Sequence, residues 1–170
     1  LDEICDLADK YEALLLVDDC HATGFVGANG RGTAEYFAVE GRVDILTSTL
    51  GKALGGTAGG FIASRKEIID KLRNKARPYL FSNNISPVTA ATGIEIIDRI
   101  ENSRDLIEKL GDNTAYFRRA MLEAGFDLRD PKAVHPVVPV MLGDAKLAAH
   151  FAKLMIEEEG IYVIAFSYPV

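Results

Sequence analysis

Ala13-Leu14-Leu15-Leu16-Val17, followed at once by Asp18-Asp19-Cys20-His21, is the stretch on which the fold turns. Five apolar residues in unbroken succession, with no alternation, mark a strand buried on both faces of a parallel sheet. Before it, Leu1, Ile4, Cys5, Ala8 and Tyr11 recur at helical spacing and predict an amphipathic helix. The abrupt change from aliphatic side chains to carboxylates and an imidazole falls at the strand's carboxyl end. In open α/β sheets that is where ligands gather.

Outward from there, Gly24, Gly27, Gly30 and Gly32 punctuate a loop, and a short helix is predicted over Thr33–Val39. Val43–Leu50 reads as a second strand, running into Gly51-Lys52-Ala53-Leu54-Gly55-Gly56. Gly60–Ala63 is a third strand and Arg65–Ala76 a helix, periodic through Ile68, Ile69 and Leu72. The segment Arg77–Ser86 reads as irregular, with Pro78 breaking the helix. Ser86-Pro87 is a cap followed by proline at the first helical position, opening a helix to about Ile100.

After Asn102 a long helix carries Leu106, Leu110, Phe117 and Met121 on one face until Gly125 stops it. A strand over Val137–Leu142, a helix over Asp144–Glu159 and a strand over Ile161–Phe166 complete the pattern. The expected organisation is an α/β region over 1–102 followed by a small α+β unit over 103–170. Leu1 lies inside a helical pattern and Tyr168-Pro169-Val170 follow a strand, so the sequence reads as cut at both ends.

With 170 residues, 48% of them hydrophobic, the chain can bury a core without disulfide or metal staples. A formal charge of −6 disfavours nucleic acid as a partner, because phosphate contacts need clustered cations. Lys71, Arg73, Lys75 and Arg77 are interleaved with other residues and read as the solvated face of a helix. Two cysteines, Cys5 and Cys20, make no disulfide framework and fit a reducing compartment. No apolar run is long enough to cross a bilayer.

Chemistry concentrates at two strand ends, one offering Asp18 and His21, the other Thr49 and Lys52. Taken singly, each has an ordinary reading as a cap, a loop histidine or a surface lysine. Lys52 stands between glycines, where backbone can approach a ligand closely. Successive side chains near a strand end point in different directions, so at most one of Asp18 and Asp19 faces a pocket. Four consecutive residues cannot readily surround one metal ion, and no metal site is expected. Cys20 has no evident base to make it a nucleophile. The order of residues around Lys52 does not match a P-loop. His135, His150 and Arg31 read as structural, surface or turn residues.

The segments Val17-Asp18-Asp19-Cys20-His21-Ala22-Thr23-Gly24 and Thr47-Ser48-Thr49-Leu50-Gly51-Lys52-Ala53-Leu54-Gly55-Gly56 resemble the two cofactor motifs of the α-oxoamine synthases. These are fold-type I enzymes of pyridoxal 5'-phosphate (PLP) that condense an amino acid with an acyl-CoA. The resemblance runs along the whole chain. It implies part of a PLP-binding large domain, a mainly parallel sheet with helices on both faces, followed by part of the small α+β domain.

The resemblance also implies roles. Lys52 would hold the cofactor as a Schiff base and later take a proton from the amino acid's α-carbon. Asp18 would pair with the pyridine nitrogen, keeping the ring an electron sink. His21 would hydrogen-bond the phenolic oxygen, and Thr49 would donate to the phosphate. Ser82 and Asn83 match residues that reach the phosphate in the partner subunit of a homodimer with shared sites.

Ala76-Arg77-Pro78-Tyr79-Leu80-Phe81-Ser82-Asn83, Pro139–Asp144 and Gly160–Val163 favour a member that joins glycine to acetyl-CoA, giving 2-amino-3-oxobutyrate and CoA. The alternatives are sister synthases of 5-aminolevulinate or 8-amino-7-oxononanoate, and a non-catalytic paralogue serving as a structural subunit. The family setting is cytoplasmic in bacteria and the mitochondrial matrix in eukaryotes. The family's ring-stacking residue and its arginine for the substrate carboxylate fall outside these residues, so the segment alone is expected to be inactive.

Overall fold

A computed structural model describes residues 1–55 and 57–168. Gly56, the last glycine of the motif around Lys52, lies outside the described residues, as do Pro169 and Val170. The chain divides into two units, Leu1–Lys109 and Leu110–Val170.

In the first unit, α1 (Asp2–Lys10) leads into β1 (Leu16–Asp18). The apolar run therefore does not start the strand: Ala13 and Leu14 lie before it and Asp18 belongs to it. Pairing decides the boundary, since the Leu15 carbonyl accepts from Ile45 N–H and the ladder continues Leu16–Ile45, Val17–Leu46 and Asp18–Thr47. β1 is an edge strand, and Leu14 and Leu16 are exposed, so the expected burial on both faces does not hold among the described residues.

The short helix α2 (Thr33–Tyr36) is briefer than its sequence pattern because Ala38 adopts a left-handed conformation that ends it. β2 (Ile45–Thr49) runs parallel to β1, and β3 (Gly60–Ser64) antiparallel to β2. Gly60 is required by the close approach of the strands: a Cβ there would meet the Ser48 carbonyl oxygen. The sheet order is β1-β2-β3, which brings the carboxyl ends of β1 and β2 to the same edge. Cys5, Ala34 and Val39 form a small core with Leu1, Leu15 and Val43 packed on it.

α3 (Lys66–Lys75) is followed by α4 (Arg77–Phe81), a five-residue helix within the segment expected to be irregular. Pro78 sits in the first turn of α4, where its missing N–H has no intrahelical partner to lose. It thus separates the helices and starts the second. α5 (Pro87–Asn102) opens as expected, with the Ser86 hydroxyl accepting from Thr89 N–H at 3.2 Å. α6 (Asp105–Glu123) begins in this unit and continues into the next.

In the second unit, the apolar face of α6 is open at Leu110 and Phe117, which are exposed, while Thr114 and Arg118 are buried. Leu106, on the same face, is exposed in the first unit. Arg118, 6% exposed, donates from its guanidinium to the carbonyls of Asp130, His135 and Val137. The strand expected over Val137–Leu142 reduces to one antiparallel bridge, Leu128–Val140, flanked by Met141 N–H to the Asp127 carbonyl at 2.8 Å. Pro136 and Pro139 supply no donors, which keeps a ladder from extending. α7 (Ala145–Glu157) is capped by the Asp144 carboxylate, which accepts from Leu147 N–H at 2.7 Å. Residues 161–166, expected as a strand, join no ladder among the described residues. Strand conformation is stabilised by pairing, and apolar composition does not supply a partner.

Candidate active site

The site begins with two adjacent carboxylates that part company. Asp19 is 2% exposed. Its Oδ1 accepts from the Thr33 N–H at 3.1 Å and from the Thr33 hydroxyl, and its Oδ2 accepts from the Thr23 hydroxyl at 2.9 Å. Gly32 passes so close, at φ 94°, that a Cβ would run into Asp19 Oδ2. Asp18 is exposed at the end of β1, and its Oδ1 accepts from Cys20 N–H at 3.1 Å. Of the two, Asp18 is the one available to a ligand, and Asp19 ties the loop to the start of α2.

Asp18 is held below the ordinary carboxylate range. The Cys20 side chain contributes most, then the Cys20 backbone N–H, with Lys52 and His21 adding positive charge against a desolvation cost. The same hydrogen bond with Asp18 pushes the Cys20 thiol up. Cys20 is thereby a neutral donor to Asp18 and a poor thiolate nucleophile. Thus Asp18, His21 and Lys52 share one electrostatic neighbourhood at the carboxyl edge of β1 and β2.

Lys52 is exposed on the loop after β2, in a turn closed by Gly55 N–H to the Lys52 carbonyl at 3.3 Å. Leu50 and Leu54, both buried, anchor that loop from beneath. Thr49, the last residue of β2, accepts from Gly51 N–H at 3.1 Å and donates its hydroxyl to the Gly59 carbonyl at 3.2 Å. Ser82 and Asn83 lie exposed between α4 and α5. Among the described residues no hydrogen bond joins either to the Asp18–Lys52 group.

Two residues that the sequence did not single out shape the same edge. Glu35 accepts from Asn29 N–H, Asn29 Nδ2 and Arg31 N–H, folding the glycine loop over α2. Burial alone would raise its pKa, but these hydrogen bonds, led by Arg31 N–H, outweigh it and hold Glu35 below the usual range. A glutamate in the first turn of a short helix, just after Gly-Arg-Gly, was the available signal. Asn29 also accepts from Arg104.

An aspartate, a histidine and a lysine thus stand at or just beyond the carboxyl ends of a parallel strand pair, the edge where open α/β sheets gather ligands. A family model for class I and II aminotransferases matches residues 1–170, and the chain belongs to that family. It is 53% identical over 98% of its length to the 2-amino-3-ketobutyrate coenzyme A ligase of Escherichia coli K12, covering 41% of that protein. It is 44% identical over 99% of its length to the 8-amino-7-oxononanoate synthase of Thermosipho melanesiensis, covering 42% of it. Among solved structures it resembles a serine palmitoyltransferase from S. paucimobilis with a bound PLP–myriocin aldimine. That match has a TM-score of 0.88 and 32% identity and covers 96% of this chain and 42% of the other. The chain thus spans about two fifths of the length of the relatives it matches. Its mixed α/β fold is that of fold-type I PLP enzymes over most of the chain. Among the described residues no helix is long and apolar enough to cross a membrane.

Proposed function

We propose that the full-length protein is glycine C-acetyltransferase (2-amino-3-ketobutyrate CoA ligase), a PLP-dependent homodimer that joins glycine to acetyl-CoA. The observation that carries the reading is an exposed Asp18, held below the ordinary carboxylate range, at one sheet edge with Lys52, in a chain 53% identical to that ligase. In this reading 1–102 belong to the large domain and 103–170 to the start of the small one. A cytoplasmic location in a bacterium, or the mitochondrial matrix in a eukaryote, goes with it.

The residues present suit PLP. A carboxylate held below its ordinary range fits a pyridinium nitrogen, and an exposed lysine amine at the same sheet edge fits the aldehyde. His21 would hydrogen-bond the phenolic oxygen. Thr49, Ser82 and Asn83 would serve phosphates, the last two across the dimer. When bound, the cofactor supplies an electron sink for negative charge at the glycine α-carbon. Lys52 would accept and return the proton at that carbon, acting as general base and then acid. Asp18 would hold a proton at the ring nitrogen by keeping its own negative charge beside it. No part of this requires the Cys20 thiolate.

The sister synthase of 8-amino-7-oxononanoate is a second reading, favoured by the 44% identity. A comparison of CoA release by the full-length enzyme decides between them. Glycine with acetyl-CoA should be fastest, and propionyl-CoA measurable, since one methylene is worth only about 1–3 kcal/mol. Succinyl-CoA should be near background, because its carboxylate would be buried without a donor. A preference for succinyl-CoA, or for alanine over glycine, overturns the proposal in favour of the corresponding sister enzyme.

A further inference from the structure

We propose that Asp19 is a positioning residue for the site: by locking the turn between them, it sets Asp18 and His21 toward Lys52. The inference rests on the functional reading above and adds a residue to it.

Every polar atom of Asp19 is engaged. Its N–H donates to the Thr47 carbonyl at 2.8 Å, extending the parallel pairing one residue beyond β1. Its carbonyl accepts from Ala22 N–H and Thr23 N–H, both at 3.0 Å, closing the turn that carries His21. Its carboxylate takes the Thr23 and Thr33 donors already described. Asp18 precedes this pinned residue by one position and His21 follows it by two. Neither of those exposed side chains can turn as a backbone unit without breaking bonds made by Asp19.

The donors on the carboxylate are a backbone amide and two threonine hydroxyls, all neutral. A buried carboxylate without a cation is costly unless fully hydrogen-bonded. An apolar side chain of the same size would leave the Thr33 N–H and both hydroxyls without their acceptor, so the bonds tie the turn and α2 to one carboxylate. It accepts from both Thr23, inside the turn, and Thr33, fourteen residues on. That double demand makes the turn rigid relative to α2, which a hydrophobic contact would not do with the same directionality.

The test uses the full-length enzyme and three variants, Asp19→Asn, Thr33→Val and Thr33→Ser, with Asp18→Asn as reference. Asp19→Asn keeps the shape and part of the acceptor set. It should retain the parental melting temperature to within a few degrees (on the order of 1 kcal/mol). PLP affinity, read from the visible absorption band, should weaken, and amide exchange at Ala22 and Thr23 in the cofactor-free protein should accelerate. The kcat should fall roughly ten- to a hundredfold with little change in KM for glycine, as expected for a misplaced group. Thr33→Val should show the same pattern more weakly and Thr33→Ser should restore it.

If Asp18→Asn impairs PLP binding while Asp19→Asn and Thr33→Val change only the melting temperature, Asp19 is structural and the inference fails. If Asp18→Asn itself leaves PLP binding and kcat intact, the functional reading fails instead. Should Asp19→Asn not fold, the Thr33 pair decides by the same measurements.

Discussion

Asp18 and Asp19 are consecutive and opposite: one carboxylate stands in solvent at the end of β1, the other is 2% exposed beneath the same turn. A strand end turns successive side chains to different sides, and the Thr23 and Thr33 donors lie on the side of Asp19. The neighbours Cys20, His21 and Lys52 then give Asp18 its electrostatic character.

Replacing Asp18 by Asn should leave thermal stability near the parental value, because the side chain is exposed. Activity of the full-length enzyme should fall about a hundred- to a thousandfold, the range for removing one preorganised electrostatic partner. Steady-state kinetics beside a melting curve read both quantities. A loss of stability without loss of rate would contradict the role assigned to Asp18.

Lys52→Ala should abolish the covalent cofactor adduct trapped by borohydride, read as the absence of the mass increment on intact protein. Peptide mapping of the parent should place that increment on the peptide carrying Lys52. Trapping on another lysine would refute the assignment.

Glu35 has its pKa lowered from the ordinary 4.5. A depressed carboxylate contributes stability that is fully present above its unfolded value and is lost as pH falls through the folded value. The window is therefore the acid side of about pH 4.5. Stability of the parent should decline there more steeply than that of Glu35→Gln, while the parent is the more stable near neutrality. Denaturant titrations at several pH values check the slope, and parallel acid limbs would count against it.

The helices were largely legible because their ends are written locally. Ser86-Pro87, Asp144 and Gly125 act within one turn of where they stand. Lys52 and the Asp18–His21 pair were legible for a similar reason, each lying at a strand end next to glycines or a sharp polarity change. The bond from Asp19 to Thr33 was not, since it joins positions fourteen residues apart. Nor was the fate of Val137–Leu142 and Ile161–Phe166. Their composition suits strands, yet a ladder depends on a partner that composition does not name.

Arg118 offers a stability test in the second unit. Arg118→Met keeps much of the aliphatic stem but strips the donors from three carbonyls. A hydrogen bond from a charged donor contributes about 1.5–3 kcal/mol net, so chemical denaturation should show a loss of that order. Arg118→Lys should recover only part of it, because one ammonium lacks the planar fork. Full recovery by lysine would show that charge alone matters there.

The Thr49 hydroxyl owns a single proton, and that proton is already committed to the Gly59 carbonyl. A phosphate arriving at Thr49 would have to take it over, so the contact would be an exchange of acceptors. Nothing would be orphaned by the trade, because Leu50 N–H also donates to the Gly59 carbonyl at 2.9 Å. A neutral hydrogen bond contributes about 0.5–1.5 kcal/mol net and one to an ionised acceptor about 1.5–3, so the swap favours the anion. The threonine would then work as a latch with two seats, holding its own loop closed until a ligand of higher charge claims the proton.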